Sequence, residues 1–247
     1  MTRRVVVLRD PGAVATAAAD RIVAAARNAI RRRGVFRIAL SGGATPLRVY
    51  RLLIRPPRVD AVDWSRAEFF WGDERNVPPD HRDSNYGLAK RALLDRLPGV
   101  RAGAVHRMPA EREDLEAAAR SYQEEIAAAF GVSATARRPP ALDLVWLGMG
   151  RDGHTASLFP GCAALAERRA WVVANWAPGP AAWRMTLTYP MLNASREALF
   201  VAWGPDKTAA FRAVQRGSAD APAARVRARR TVWLVDAAAA GSGAAPQ

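Results

Sequence analysis

Cysteine and histidine are both scarce in this sequence. The chain has 247 residues but one cysteine, Cys162, and three histidines. A single cysteine excludes a disulfide framework and a cluster of thiolate metal ligands, and it is typical of a protein in a reducing compartment. Because the histidines are scattered and have no paired spacing, we predict no metal site. We expect the protein to be cytoplasmic.

Long apolar runs are also missing. No uninterrupted apolar run is long enough to cross a bilayer. The run Val5 to Leu8, near the first residue, is too short for the apolar core of a signal peptide. We therefore expect a protein that is neither exported nor bound to a membrane.

Acidic residues are outnumbered, with 23 Asp and Glu against 37 Lys and Arg, which gives a net charge of +14. Such an excess can indicate nucleic-acid binding. Here the arginines are spread along the chain, with short runs at Arg31–Arg33 and Arg225–Arg230, and no stacking aromatic residues accompany them. We predict no nucleic-acid partner, because a small anionic substrate explains positive charge equally well.

The hydrophobic pattern predicts an α/β fold. Half of the residues are hydrophobic, enough to bury a full core. Six or more apolar runs alternate with helical segments, which predicts a mostly parallel sheet covered by helices on both faces. We predict one domain over residues 1–236, with a small lobe formed by residues between 75 and 135, and a frayed tail over 237–247.

The stretch Leu147 to Gly161 reads as a strand end followed by a glycine-rich loop that carries His154. Its glycines match the dinucleotide-binding fingerprint, but Phe159 and Pro160 end any helix within about two turns, and the next strand lacks the acidic ribose ligand. A nucleotide cofactor is therefore not expected.

His154 is the one common side chain type that titrates near neutral pH, and it stands where a loop leaves a strand. Neither Ser41 nor Ser157 lies in a nucleophile elbow. We therefore interpret His154 as a general base acting on water, the alternative being a packed histidine with a structural role. Asp152 either orients its imidazole or lies on another face of the loop.

A second motif, residues 41–46, follows the predicted strand 35–40 and reads Ser-Gly-Gly-Ala-Thr-Pro. We predict Thr45 as the N-cap of a helix that begins at Pro46. Free amides at such a junction can bind a phosphate, although a tight turn without a ligand is an equal alternative.

Charged residues follow two further predicted strands. Asp73 to Arg75 are predicted to form a loop directly after the apolar run 67–72, at the edge where α/β sheets bind ligands. Lys207 follows the run 198–203, next to Asp206, which we predict to cap a helix. A cation in a first helical turn opposes the helix dipole, so Lys207 indicates a compensating anion, unless it is simply solvated.

Taken together, these motifs resemble the glucosamine-6-phosphate isomerase/6-phosphogluconolactonase family. The matching stretches are Leu40–Pro46, Trp71–Arg75, Asp83–Tyr86, Arg107–Pro109, Leu147–Gly161, Arg184–Thr188, Gly204 with Lys207, and Trp233–Asp236. The resemblance implies a Rossmann-like fold, shared with glucosamine-6-phosphate deaminase and ribose-5-phosphate isomerase, and no cofactor.

The resemblance also implies roles for individual residues in hydrolysing a phosphorylated sugar lactone of the pentose phosphate pathway. His154 would take a proton from water, supported by Asp73 or Asp152, and Arg75 would hold the substrate or the developing oxyanion. The residues expected to bind the phosphate are Ser41, Gly42, Gly43, Ala44, Thr45, Arg184 and Lys207. The expected assembly is a monomer or a weak dimer.

The chain departs from the family at two places, with Ala44 where serine is usual and Arg151 where proline is usual. The alternative within the family is an aldose-ketose isomerase, the deaminase. Deaminases have a glutamate at the position of Phe159 and a tyrosine at that of Arg75, so the resemblance favours the lactonase.

Overall fold

The computed structural model describes residues 1–177 and 182–241, which form two sheets and seven α-helices. The strands are β1 (Thr2–Leu8), β2 (Phe36–Leu40), β3 (Ala67–Trp71), β4 (Asp73–Arg75), β5 (Leu144–Leu147), β6 (Val172–Ala177), β7 (Ala182–Leu187), β8 (Glu197–Ala202) and β9 (Arg230–Asp236). The helices are α1 (Pro11–Arg33), α2 (Ala44–Leu53), α3 (Asn85–Ala92), α4 (Leu115–Phe130), α5 (Tyr189–Ala194), α6 (Thr208–Gln215) and α7 (Ala237–Ala240).

The larger sheet has six parallel strands in the order β1-β9-β8-β5-β2-β3. Strands β5 and β8 are buried along their whole length, so both faces of the sheet are covered. The predicted parallel α/β architecture is therefore confirmed. Chain order reverses between β2 and β5, and such a reversal opens a crevice at the carboxyl ends of the strands.

Both ends of helix α1 are stabilised by residues next to them in the sequence. The Asp10 carboxylate accepts a hydrogen bond from the N–H of Ala13, and Pro11 occupies the first turn, where no N–H is needed. At the other end, Gly34 adopts φ 77°, a left-handed conformation that favours glycine. Both ends of this helix therefore follow from residues next to them in the sequence.

The smaller sheet is antiparallel, in the order β4-β7-β6. Residues Asp73 to Arg75, expected to form a loop, are its strand β4. The expected small lobe between 75 and 135 does not match this unit, since β6 and β7 come from later in the chain. Residues 75–135 instead contact both sheets, since α4 packs on β6 while the Tyr122 hydroxyl accepts from the N–H of Trp71 in β3 and donates to the carbonyl of His106.

Two predicted helix starts are wrong. Helix α2 begins at Ala44 and is capped by Gly43, not by Thr45, because the glycine turn itself redirects the chain. Asp206 caps no helix, since Pro205–Lys207 form a 3-10 turn before α6 begins.

The C-terminal tail also differs from expectation. Residues 237–240, expected to fray, form the short helix α7 because the buried carboxylate of Asp236 accepts from the N–H of Ala239. The rest of the predicted tail, residues 242–247, lies outside the described residues, as does Pro178–Pro180, where the sequence Pro-Gly-Pro predicts a turn. Within the described ranges, no helix combines the length and apolar character that crossing a membrane requires.

Candidate active site

His154 lies in the loop after β5, and its imidazole is paired with Asp152. The distance from His154 Nδ1 to Asp152 Oδ1 is 2.6 Å, and the same oxygen accepts from the His154 backbone N–H at 3.1 Å. Burial raises the pKa of Asp152, but the hydrogen bonds and charge of His154 outweigh it, so the net pKa is lowered. An ionised Asp152 holds the proton on Nδ1 and leaves the lone pair of Nε2 free.

Gly150 makes this pairing possible. A Cβ at position 150 would lie 2.1 Å from His154 Nδ1 and 2.5 Å from Asp152 Oδ1. The Gly150 N–H also donates to the His154 carbonyl at 2.9 Å. The ring centroids of His154 and Phe159 lie 4.3 Å apart. The loop therefore fixes the plane of the histidine and leaves the side chain about a third exposed.

Asp73 lies at the same edge of the sheet but makes no hydrogen bond or ion pair with His154. Its Oδ2 accepts from the Ser157 hydroxyl at 2.7 Å, and its carbonyl and Oδ1 accept from Asn85 Nδ2 at 2.8 and 3.3 Å. The Ser157 carbonyl in turn accepts from Asn175 Nδ2 at 2.7 Å. Asp73 thus ties the histidine loop to β4, and the carboxylate that contacts His154 is that of Asp152.

Glu74 is a site residue that the sequence analysis did not single out. The residue is 3% exposed, and its carboxylate accepts from the backbone N–H groups of Arg75, Asn85 and Tyr86 and from the Ser84 hydroxyl. Burial raises its pKa, against the hydrogen bonds. Because four donors converge on one side chain, Glu74 clamps the start of α3 to β4. In the sequence, Glu74 is recognisable only as an acidic residue beside Asp73.

Arg75 and Arg184 are direct cross-strand neighbours in the antiparallel sheet. Arg75 donates to the carbonyl of Asp83. The pKa of Arg184 is lowered by burial and then by the charge of Arg75. Like charges directly opposite each other are unfavourable. Among the described residues, no carboxylate lies within ion-pair distance of either guanidinium, so an anion bound there would relieve the repulsion.

The turn before α2 presents backbone amides at this edge. Gly43 adopts φ 97° and caps the helix without a side-chain bond, which leaves the first-turn N–H groups of Ala44 and Thr45 without acceptors in the described part of the chain. A Cβ on Gly42 would lie 1.7 Å from Asn85 Oδ1, so only glycine fits against α3. The carbonyl of Ser41 accepts from the Tyr50 hydroxyl at 2.6 Å.

Lys207 follows β8 and already has an anionic neighbour. Its Nζ lies 3.4 Å from Asp206 Oδ2, which also accepts from Arg151 Nε at 2.9 Å. The compensating anion expected for Lys207 is therefore Asp206 in this structure. Arg151, which stands where the family usually has proline, forms an ion pair beside Lys207.

The loops that carry these residues follow β2, β3, β5 and β8 at one edge of the parallel sheet. The Asp73–Ser157 and Asn85–Gly42 contacts join three of the loops directly. The edge thus combines a histidine-carboxylate pair, two neighbouring arginines and a helix N-terminus, features suited to acid-base chemistry on an anionic substrate. The described residues contain no group of three His, Cys, Asp or Glu side chains arranged to hold a metal ion.

Comparison with known proteins places this arrangement in context. The family described as glucosamine-6-phosphate isomerases/6-phosphogluconolactonase matches residues 9–233. A 6-phosphogluconolactonase from Nostoc sp. is 38% identical over 97% of this chain and 98% of its own length. The protein of the same name from Streptomyces coelicolor is also 38% identical, over 97% of this chain and 94% of its own length.

Solved structures agree with these sequence matches. The 6-phosphogluconolactonase from Thermotoga maritima superposes with a TM-score of 0.82 at 29% identity, covering 95% of this chain and 100% of its own. A monomeric glucosamine-6-phosphate deaminase superposes with a TM-score of 0.80 over 97% of this chain and 99% of its own, but at 20% identity. The likeness to the deaminase concerns the fold alone.

Proposed function

The chain belongs to the glucosamine-6-phosphate isomerase/6-phosphogluconolactonase family, and from this premise we propose that it hydrolyses 6-phospho-D-glucono-1,5-lactone to 6-phosphogluconate. The observation that carries the proposal is the His154–Asp152 pair, 2.6 Å apart, at the same sheet edge as the unneutralised pair Arg75 and Arg184. Hydrolysis of the lactone needs a base that activates water, and binding of its phosphate needs cationic groups. Both are present at this edge.

In the proposed reaction His154 acts as the general base. Nε2 takes a proton from a water molecule as the water oxygen attacks the lactone carbonyl carbon, which gives a tetrahedral oxyanion and an imidazolium. The oxyanion collapses and breaks the bond to the ring oxygen, which accepts the proton from His154. General-base assistance contributes about 10²- to 10⁴-fold, and a lactone is already an activated ester.

Asp152 supports both halves of this cycle. Its carboxylate accepts from Nδ1–H, so the neutral imidazole keeps its basic nitrogen toward the water. When the imidazolium forms, the same carboxylate stabilises the positive charge at hydrogen-bond distance. Asp73 has a different task, since its bonds to Ser157 and Asn85 hold the histidine loop in register with β4.

Phosphate capture gives the substrate its orientation. Arg184, the first-turn amides of α2 and Lys207 are the groups we assign to the phosphate, since an anion gains hydrogen bonds and dipole stabilisation there. Arg75, beside Arg184, is assigned to the substrate or the oxyanion. With Ala44 in place of serine, the phosphate has backbone amides but no hydroxyl at that position.

Phe159 argues against the second candidate function, that of a deaminase. Its ring packs on the imidazole at the position where a deaminase has a glutamate to assist ring opening. A phenyl ring cannot relay a proton, so the isomerase reaction lacks its second acid-base group. Water attack on a lactone needs only His154 and its partner.

We expect the purified protein to accelerate the loss of freshly made 6-phosphogluconolactone above its spontaneous rate and to release no ammonia from glucosamine 6-phosphate. Acid release and ammonia are followed in parallel on the same preparation. Ammonia release without lactone hydrolysis would overturn the assignment in favour of the deaminase.

We expect Gly150→Ala to lose most lactonase activity, because the new Cβ would overlap His154 Nδ1 and Asp152 Oδ1. Gly148→Ala is the matched control in the same loop, since nothing lies within 4 Å of a Cβ there. The measurement is kcat/KM together with the melting temperature of both variants. Equal losses at the two positions would show that the site does not depend on the close approach at Gly150.

We further propose that the protein acts in the cytoplasm as a monomer or a weak dimer, on a phosphorylated sugar lactone and without a nucleic-acid or membrane partner. The histidine, arginine and amide groups assigned to the reaction lie together at one sheet edge of a single chain, which is the arrangement that an active monomer requires. Size-exclusion chromatography with light scattering tests the assembly.

A further inference from the structure

A second charged cavity lies at the opposite edge of the parallel sheet from His154. Its volume is about 660 Å³, and it lies between the amino ends of β1, β9, β8 and β5 on one side and the C-terminal half of α1 on the other. We call it the arginine groove, defined by Arg21, Arg32, Arg33, Arg196, Arg229 and Arg230. Strands of four to seven residues separate the two edges by roughly 13–23 Å.

Two buried carboxylates hold part of the groove in place. Arg21 donates two hydrogen bonds of 2.6 Å to Glu197, and Arg33 lies 2.7 Å from Asp143. Each carboxylate has a second arginine farther away, at 3.3 and 3.4 Å. Six guanidinium groups therefore face two carboxylates, which leaves a net charge of +4 in one cavity.

Two of the arginines have no carboxylate partner among the described residues. Arg32 donates from Nε to the Asn28 side-chain oxygen at 3.1 Å, and the Arg229 side chain has no hydrogen bond or ion pair there. Arg32 is in the last turn of α1, whose dipole offers a partial negative charge. That dipole is equivalent to about half an elementary charge, so it offsets only a small part of the excess.

Backbone hydrogen bonds make the groove a preformed structure. The N–H of Thr2 donates to the carbonyl of Arg229, and the N–H of Arg229 donates to the carbonyl of Ser195, at 3.1 and 3.2 Å. The backbone of Arg196 is fixed by two hydrogen bonds. Its N–H donates to the carbonyl of Leu142 at 2.8 Å, and its carbonyl accepts from the N–H of Arg230 at 3.1 Å. The backbone from which Arg196 and Arg229 project is thus fixed, which lowers part of the entropy cost of binding a ligand.

We propose that the arginine groove binds a polyphosphate chain, either free or as part of a nucleoside triphosphate. Arginine forks match the geometry of phosphate oxygens, and successive phosphates carry the several charges needed to neutralise a cavity of net charge +4. The cavity also has room for a molecule of this size. This inference is independent of the lactonase reaction, which is assigned to the opposite edge.

The test is calorimetric titration of the full-length protein with inorganic tripolyphosphate, and separately with ATP in the absence of divalent cations. The variant Arg32→Glu/Arg229→Glu changes two arginines that hold no structural carboxylate. Arg101→Glu/Arg120→Glu is the control, since it makes the same change in net charge at two exposed arginines outside the groove. Removing two charged contacts is expected to weaken tripolyphosphate binding about tenfold or more.

The proposal predicts that the groove variant loses tripolyphosphate affinity, while the control binds like the wild type and the lactonase kcat/KM of both is unchanged. Tighter binding of ATP than of tripolyphosphate would identify a nucleotide ligand, and equal binding a polyphosphate chain alone; either supports the proposal. Equal binding by wild type and groove variant, or an equal loss in the control, would overturn it. If the glutamates destabilise the fold, Arg32→Gln/Arg229→Gln provides the same comparison.

Discussion

Replacing His154 with alanine is expected to lower kcat for 6-phosphogluconolactone about 10²- to 10⁴-fold, the contribution of a positioned general base. The variant keeps Arg184, the α2 amides and Lys207, so KM should change little. The fold should also persist, because the imidazole is about a third exposed and packs mainly on Phe159. Initial rates, corrected for spontaneous hydrolysis, measure the effect.

Two further variants serve as comparisons for His154→Ala. Asp152→Asn can still accept from Nδ1–H but cannot stabilise the imidazolium, so its loss should be smaller than that of His154→Ala. His106→Ala removes a ring that stacks on Phe70 and lies near Glu125, outside the site. It should lower stability and leave kcat/KM intact. Full activity in His154→Ala would assign His154 a structural role and require another base.

The second large effect is expected for Arg184→Leu. Losing a charge-assisted bond to the phosphate costs about 1.5–3 kcal/mol, or roughly 10- to 150-fold in kcat/KM for the phosphorylated lactone. Stability should hold or rise, because the substitution removes the repulsion between Arg184 and Arg75 and places an apolar group in a half-buried position.

Unphosphorylated gluconolactone serves as the internal control for Arg184→Leu. Its kcat/KM should be the same in wild type and variant, because it has no phosphate to lose. The preference for the phosphorylated substrate should therefore shrink by the same factor. A parallel loss on both lactones would show instead that Arg184 maintains the shape of the site.

The parts of the site that depend on local sequence were predictable. Glycines after a buried strand, followed by Asp152 and His154, indicate an exposed loop, and the glycine pair before Pro46 indicates a helix start. The order of strands and loops then places both motifs at the carboxyl edge. The N-cap of α2 is Gly43 and not Thr45, and this could not be predicted without knowing the backbone conformation of the turn.

The parts that depend on pairing between distant segments were not predictable. Arg75 and Arg184 become neighbours only because β4 pairs with β7, and a three-residue polar strand has no hydrophobic alternation to reveal it. The hydrogen bonds from residues 84–86 to Glu74 likewise form only because the chain folds back at the start of α3. The choice between Asp73 and Asp152 as the partner of His154 is a matter of a few ångströms and needed side-chain positions.

The most direct test of the account is a crystal structure of the protein with 6-phosphogluconate. The phosphate is expected on Arg184 and the amides of Ala44 and Thr45, with the C1 carboxylate within hydrogen-bond distance of His154 Nε2. The decisive quantity is the distance from Nε2 to the nearest C1 carboxylate oxygen. A phosphate beside His154, or a C1 carboxylate beyond its reach, would contradict the assignment of His154 as the base.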